Sequence, residues 1–123
     1  MINIGMKNTK NKGVLHFLVY REPSSKEYTG VCLELGLVEV SENPDYLKQS
    51  LIDAARGYVH TIIKENLSDE LLNVKPSKEY VELYMNALNS LSIDKKTEKS
   101  KQTLNDIFVF TKPIKDSRLA MAL

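Results

Sequence analysis

Hydrophobic and polar residues alternate in the first third of the chain and then change to a helical period within a few residues. Residues 13–21 and 28–35 show the period of two that is typical of strands, and the proline- and serine-containing residues 22–27 between them predict a hairpin loop. Gly36 permits a sharp bend, after which residues 37–40 predict a short third strand. The first strand is apolar on both sides, which places it in the centre of a sheet or at an interface.

A long amphipathic helix is predicted over residues 44–66. Asn43 is a preferred N-cap, Pro44 is a preferred first helical residue, and Asp45 faces the positive end of the helix dipole. Apolar residues then recur at helical spacing and cover nearly half of the helix circumference: Leu47, Leu51, Ile52, Ala54, Ala55, Tyr58, Val59, Ile62 and Ile63. One sheet face would not cover this stripe, so the remainder is expected to lie against the C-terminal segment or a second copy of the chain.

The rest of the chain predicts a helical extension that ends in a strand. Ser68 and Ser77 are expected to cap two helices, and the second helix carries a core-facing stripe of Val81, Tyr84, Met85, Leu88 and Leu91. Residues 92–103 are polar and predict a linker or an exposed helix end. Residues 107–111 predict a late strand that adds to an open sheet edge, in its own chain or in a partner.

These elements predict an α+β fold: a three-stranded antiparallel sheet with one long packed helix, followed by the helical extension and its late strand. Residues 1–66 form the strand-strand-strand-helix domain, in which residues 1–12 are a flexible, solvated lead-in. Residues 67–123 form the extension.

Composition sets outer limits on this picture. The chain has 123 residues, of which 42% are hydrophobic and 27% charged, as expected for one hydrophobic core. The formal net charge of +1 gives no global attraction to nucleic acid or to anionic membrane. Cys32 is the single cysteine, which excludes an intrachain disulfide, and no apolar leader or membrane span is visible, so a cytoplasmic location is expected.

The sequence shows no catalytic motif. His16 and His60 have no metal-binding motif around them, and Cys32 is expected to be a small core residue. Glu34, Glu39 and Asp53 are the acids that a metal-dependent nuclease would need, and their positions are typical of solvated charges. We therefore predict no catalytic residue, no cofactor and no metal site, and a protein that is not an enzyme.

The succession of residues 15–20, 28–35 and 41–47 and the following helix resembles the HicB-like antitoxin family over about residues 13–66. The positions that fit the family layout are Tyr28 at the start of the second strand, Cys32 near its middle, Gly36 at the bend, Asn43 at the helix start, and Ala54 and Ala55 on the inner helix face. The bend before the third strand is one residue shorter than is usual in that family and lacks its Pro-Gly, so the toxin-contacting edge is expected to differ.

The resemblance implies a partial RNase H-like fold without nuclease activity, a dimer or higher oligomer, and binding to a small mRNA-cleaving toxin whose active surface it covers. Many members also bind DNA through a helix-turn-helix or ribbon-helix-helix segment. Residues 68–123 show neither, so direct DNA binding is not expected. Two alternatives remain open: a nucleic-acid-binding regulator that uses Lys7, Lys10, Lys12 and the lysines of residues 95–101, and a metal-dependent nuclease.

Overall fold

The computed structural model describes residues 7–93 and 106–115. Its elements follow in this order: β1 (Val14–Arg21), β2 (Tyr28–Cys32), β3 (Leu37–Ser41), α1 (Pro44–Lys64), a 3-10 helix (Asp69–Leu72), α2 (Lys78–Ile93) and β4 (Asp106–Pro113). The protein is α+β, as the sequence predicts.

The sheet has four strands in the order β3-β2-β1-β4, and every neighbouring pair is antiparallel. The prediction of three strands is therefore wrong. The late strand is longer than predicted and pairs with the whole of β1, from Val14 opposite Pro113 to Arg21 opposite Asp106. It adds to the sheet of its own chain, and β1 becomes an inner strand because it lies between β2 and β4.

The second strand ends at Cys32 because the chain turns over the next four residues. Gly36 has φ +69°, a left-handed conformation that glycine adopts without strain, and its N–H donates to the carbonyl of Cys32 at 3.0 Å. The prediction of a strand to residue 35 is therefore too long. Leu33 still donates its N–H to the carbonyl of His16 at 2.9 Å, so the turn stays attached to β1.

Helix α1 begins as the sequence predicts. The side chain of Asn43 accepts a hydrogen bond from the Tyr46 N–H at 3.0 Å, and Pro44 is the first helical residue. The helix ends at Lys64, two residues before the predicted end. The positive φ of Asn66, 51°, then marks a left-handed residue just after the helix.

One face of the sheet is covered by α1. Leu15 and Phe17 of β1 lie in the same buried cluster as four helix residues, Leu51, Ala55, Val59 and Ile62. Gly30 lets the helix approach β2, because a Cβ atom at this position would lie 3.1 Å from Leu47 and 3.2 Å from Leu51. The same cluster includes Leu72 and Ile114, which confirms that the C-terminal segment covers part of the helix stripe.

The opposite face is covered in part by α2. Tyr84 lies buried against Leu18, Tyr20, Val31 and Leu33, with Ile107 and Val109 of β4 beside them. The predicted stripe on α2 is confirmed at Tyr84, but Leu88 is 37% exposed. The side chain of Leu91 lies outside the described residues.

The N-terminal segment is held to the protein at Asn8. The Asn8 side chain accepts from the Val14 N–H at 2.8 Å and donates to the carbonyl of Leu72 at 3.0 Å, and the Asn8 N–H donates to Asn73 Oδ1 at 2.8 Å. The prediction of a solvated lead-in is therefore wrong at Asn8, which is buried. Residues 1–6 of this lead-in lie outside the described residues.

The predicted boundary after residue 66 falls between α1 and the 3-10 helix, and segments from both sides contribute to one sheet. Most of the predicted polar linker, residues 94–103, lies outside the described residues. Among the helices that the structure describes, none combines the length and apolar character of a membrane span.

Candidate interaction surface

Strand β3 lies at one edge of the sheet and leaves apolar side chains exposed. Within the described residues it pairs with β2 alone. Val38 and Val40 lie on the α2 side of the sheet, because Val38 is opposite Val31, and they are 48% and 53% exposed. Leu37 and Glu39 lie on the α1 side and are half-buried. An edge strand of this kind is open to pairing with another segment.

A shallow groove of about 190 Å³ lies beside Val38, between β3 and the segment that leads into α2. Its walls are mainly apolar, with one lysine at the rim; they include Val31, Leu33, Val38, Lys75, Pro76 and Tyr80. We call Val38, Val40 and this groove the edge surface.

The groove wall formed by Lys75 and Pro76 follows Val74, which is held in place by the turn between β2 and β3. The carbonyl of Glu34 accepts from the Val74 N–H at 2.8 Å. Gly36 lies directly under Val74, since a Cβ atom on this glycine would be 3.3 Å from the valine side chain. The backbone of the turn therefore positions the residues that follow Val74.

The turn is itself fixed by a hydrogen-bonded pair between the buried Glu34 and the half-buried His16. Glu34 is 3% exposed; its Oε1 accepts from the His16 N–H at 2.6 Å and its Oε2 lies 2.5 Å from His16 Nδ1. The prediction that Glu34 is a solvated charge is therefore wrong. A buried carboxylate needs such partners, because burying an ion without them costs on the order of several kcal/mol.

Tyr84 of α2 completes this buried group. Its ring lies edge-on to the His16 ring, with 5.5 Å between the centroids. Burial, followed by the nearby Glu34 carboxylate, raises the pKa of the Tyr84 hydroxyl. The three side chains thus connect β1, the turn and α2.

Cys32, the single cysteine of the chain, is not a reactive nucleophile. Cys32 is fully buried, and burial is the main cause that raises its pKa from 9.0 to about 12. Since the thiolate is the nucleophilic form, this cysteine is unreactive near neutral pH. Its predicted place in the core is confirmed.

The structure does not bring the three candidate acids together. Glu39 accepts from the Ser50 hydroxyl at 2.7 Å, whereas Asp53 accepts from Gln49 at 3.0 Å and Arg56 at 3.4 Å along α1. Within residues 7–93 and 106–115, no group of three or more His, Cys, Asp or Glu side chains has a metal-binding arrangement. His60 is half-buried on α1, with its Nδ1 shielded from solvent.

The predicted lysine cluster is only partly described. Lys10 forms a salt bridge with Asp69 at 2.9 Å, while Lys7 and Lys12 are exposed. The lysines of residues 95–101 lie outside the described residues. Of the three N-terminal lysines, Lys10 is therefore paired with an acid, while Lys7 and Lys12 are accessible to solvent.

Acidic residues lie along β3 and the start of α1. Residues 37–47 contain Glu39, Glu42 and Asp45 and no lysine or arginine. Near the groove, burial raises the pKa of Tyr20, and Tyr80, Glu79 and Glu22 raise it further, in that order. The acids along β3 and α1 favour contact with positive charge, whereas Lys75 gives the groove wall one positive charge.

The protein was compared with known families, sequences and structures. No family model, no curated protein and no solved structure matches this chain. The family resemblance of residues 13–66 consequently stays a prediction.

Sequence reasoning missed the His16–Glu34 pair, although a signal was present. Glu34 is the one acid in the apolar run of residues 31–35, and His16 is the one polar residue within residues 14–20 apart from the Tyr20 hydroxyl. The hairpin register places His16 next to Leu33, and therefore close to Glu34. A buried acid is expected to find a hydrogen-bond partner, and the isolated His16 on the neighbouring strand is the polar residue within reach.

Proposed function

We propose that the protein is a non-enzymatic, antitoxin-like interaction protein that binds and masks a small mRNA-cleaving toxin. The observation that carries the proposal is the edge surface: two exposed valines on an edge strand beside an apolar groove. The resemblance of residues 13–66 to HicB-like antitoxins supplies the class of partner. The HicB-like, partial RNase H-like assignment of the fold belongs to the same proposal.

Occlusion is the proposed mechanism. A toxin that cleaves mRNA needs a basic surface, because RNA binding depends on contacts with phosphates. The acidic residues beside the edge surface, Glu39, Glu42 and Asp45, complement such a surface, and the valines and groove supply apolar contact area. The proposal includes a cytoplasmic dimer or higher oligomer that does not bind DNA directly.

The test is a growth assay with the small basic protein encoded next to this chain in its native genome. Expression of that neighbour alone is expected to arrest growth and degrade mRNA, and co-expression of this chain is expected to restore growth. A purified complex of the two proteins should have lost the RNA cleavage activity. A neighbour that is harmless, or a toxic one that this chain neither binds nor neutralises, would overturn the proposal.

A further inference from the structure

We propose that β3 binds its partner as an added strand, and that the added strand carries a basic residue flanked by two apolar residues. The basic side chain would lie opposite Glu39 on the α1 side of the sheet, and the apolar side chains would lie opposite Val38 and Val40, above the groove. This inference deepens the proposed function and rests on it for the identity of the partner.

The two edges of the sheet differ in their protection against added strands. Edge strands are commonly blocked by lysine, proline or a bulge. Strand β4 has Lys112 and Pro113, whereas β3 contains neither residue type. The pairing of β3 with β2 is also continuous over five residues, from Tyr28 opposite Ser41 to Cys32 opposite Leu37, so no bulge interrupts it. Among the described residues, the edge without lysine, proline or a bulge is the one with exposed valines, and its single charged residue is Glu39.

Alternation along β3 defines the pattern of the bound strand. Residues directly opposite each other in a sheet share a face and contact each other. Val38 and Val40 are half exposed and face the groove side, so they favour apolar partners. Glu39 lies between them on the other face, where the Ser50 hydroxyl holds its carboxylate at 2.7 Å. A lysine or arginine in the middle of the added strand would pair with this carboxylate.

Charge disfavours a second copy of this chain as the occupant. If β3 paired along its full length with β3 of another copy in the antiparallel sense, its central residue, Glu39, would lie opposite the same glutamate. Directly opposed like charges are destabilising in a sheet. A basic strand from a different protein removes this repulsion and replaces it with attraction.

The experiment uses two synthetic peptides and the full-length protein. One peptide is Thr-Thr-Val-Lys-Val-Thr-Thr, and the other replaces its lysine with glutamate. Backbone amide NMR signals are followed during titration at low salt. We expect signals of residues 37–41 to shift, with the lysine peptide binding roughly fivefold more tightly, as one cross-strand charge pair provides.

Exchange of charge on the protein sharpens this test. Glu39→Lys should reverse the preference between the two peptides, and Glu39→Gln should abolish it. Glu82→Lys is the matched control, because Glu82 is exposed on α2 and the change in charge is the same. Val40→Lys replaces an apolar contact with a charge that faces a valine of either peptide, so it should weaken the binding of both peptides. Thermal melting of each variant verifies that the fold is kept.

Several outcomes would overturn the inference. They are shifts located outside β3, equal affinities for the two peptides, an unchanged preference in Glu39→Lys, or a concentration-dependent dimer with β3 at its interface. Failure of the proposed function gives a different result: strand docking is seen with peptides, although no neighbouring toxin is neutralised. If a toxin is neutralised equally well by Val40→Lys, the function stands and the strand-addition inference fails.

Discussion

The two faces of the sheet are covered to different extents. On the α1 side, a long helix, the 3-10 helix and the end of β4 together bury a continuous apolar cluster. On the α2 side, the helix lies over β1, β2 and β4, a polar pair is buried at the turn, and the valines of β3 remain exposed. Both faces belong to the same four strands.

The dimensions of helices and strands explain the difference. A helix with its side chains is about 10 Å wide and neighbouring strands lie about 4.8 Å apart, so one helix covers roughly two or three strands. The α1 face gains additional cover from Leu72 and Ile114. On the other face, α2 starts only after Pro76 and is positioned toward β4, so among the described helices none lies over β3. One face is therefore covered by packing, and the other leaves Val38 and Val40 exposed.

The largest expected effect is the loss of a core side chain under α1. Leu51→Ala should lower the free energy of unfolding by about 3–5 kcal/mol, because Leu51 is fully buried and its truncation leaves a cavity. Val40→Ala on the exposed edge should change it by less than about 0.5 kcal/mol. Chemical denaturation measures both. Equal losses of unfolding free energy in Leu51→Ala and Val40→Ala would contradict the conclusion that the two faces are covered to different extents.

The next effect tests the buried pair. Glu34→Ala keeps the backbone carbonyl that accepts from Val74 and removes the carboxylate, so it leaves the His16 N–H without its partner. The free energy of unfolding should fall by about 2–3 kcal/mol. Glu82→Ala, an exposed acid on α2, is the control and should change little. A Glu34 variant as stable as this control would show that the pair adds nothing to stability.

Two valines on the same face of the sheet give a matched comparison. Val31→Thr adds a hydroxyl at a buried position and should cost about 1–2 kcal/mol of unfolding free energy. Val40→Thr makes the same chemical change at an exposed position and should cost less than about 0.5 kcal/mol. Urea denaturation of both variants measures the two losses of unfolding free energy. A large cost at Val40 would mean that the edge surface is covered in solution.

The smallest effect is a loss of stability in alkaline solution. The pKa of Cys32 is raised in the folded state from 9.0 to about 12. The protonated thiol therefore makes its full contribution to the free energy of unfolding below pH 9, and this contribution is lost as the pH rises toward 12. At pH 10 the loss should be on the order of 1 kcal/mol relative to pH 7. The raised pKa values of Tyr20 and Tyr84 act in the same direction.

Cys32→Ala isolates the contribution of the thiol to this alkaline loss. The difference in unfolding free energy between pH 7 and pH 10 should shrink in the variant, even though the variant is less stable overall. An identical pH dependence in the two proteins would show that the thiol does not contribute.

Local sequence signals predicted most of the elements but less of the site. The cap of α1 at Asn43 and Pro44 is confirmed because capping depends on residues close in sequence. The end of β2 was predicted three residues late, because the turn is fixed by Gly36 together with contacts to Val74 that are distant in sequence. Exposure of Val38 and Val40 was not predictable, since it depends on where α2 lies.

The sequence by itself determined the strand hairpin, the long amphipathic helix and its apolar stripe, because periodicity and capping are properties of neighbouring residues. Tertiary structure decided that residues 106–113 pair with β1, that Asn8 is held against Leu72 and Asn73, and that β3 pairs with β2 alone among the described residues. These features depend on contacts between segments far apart in the chain, which no local pattern encodes.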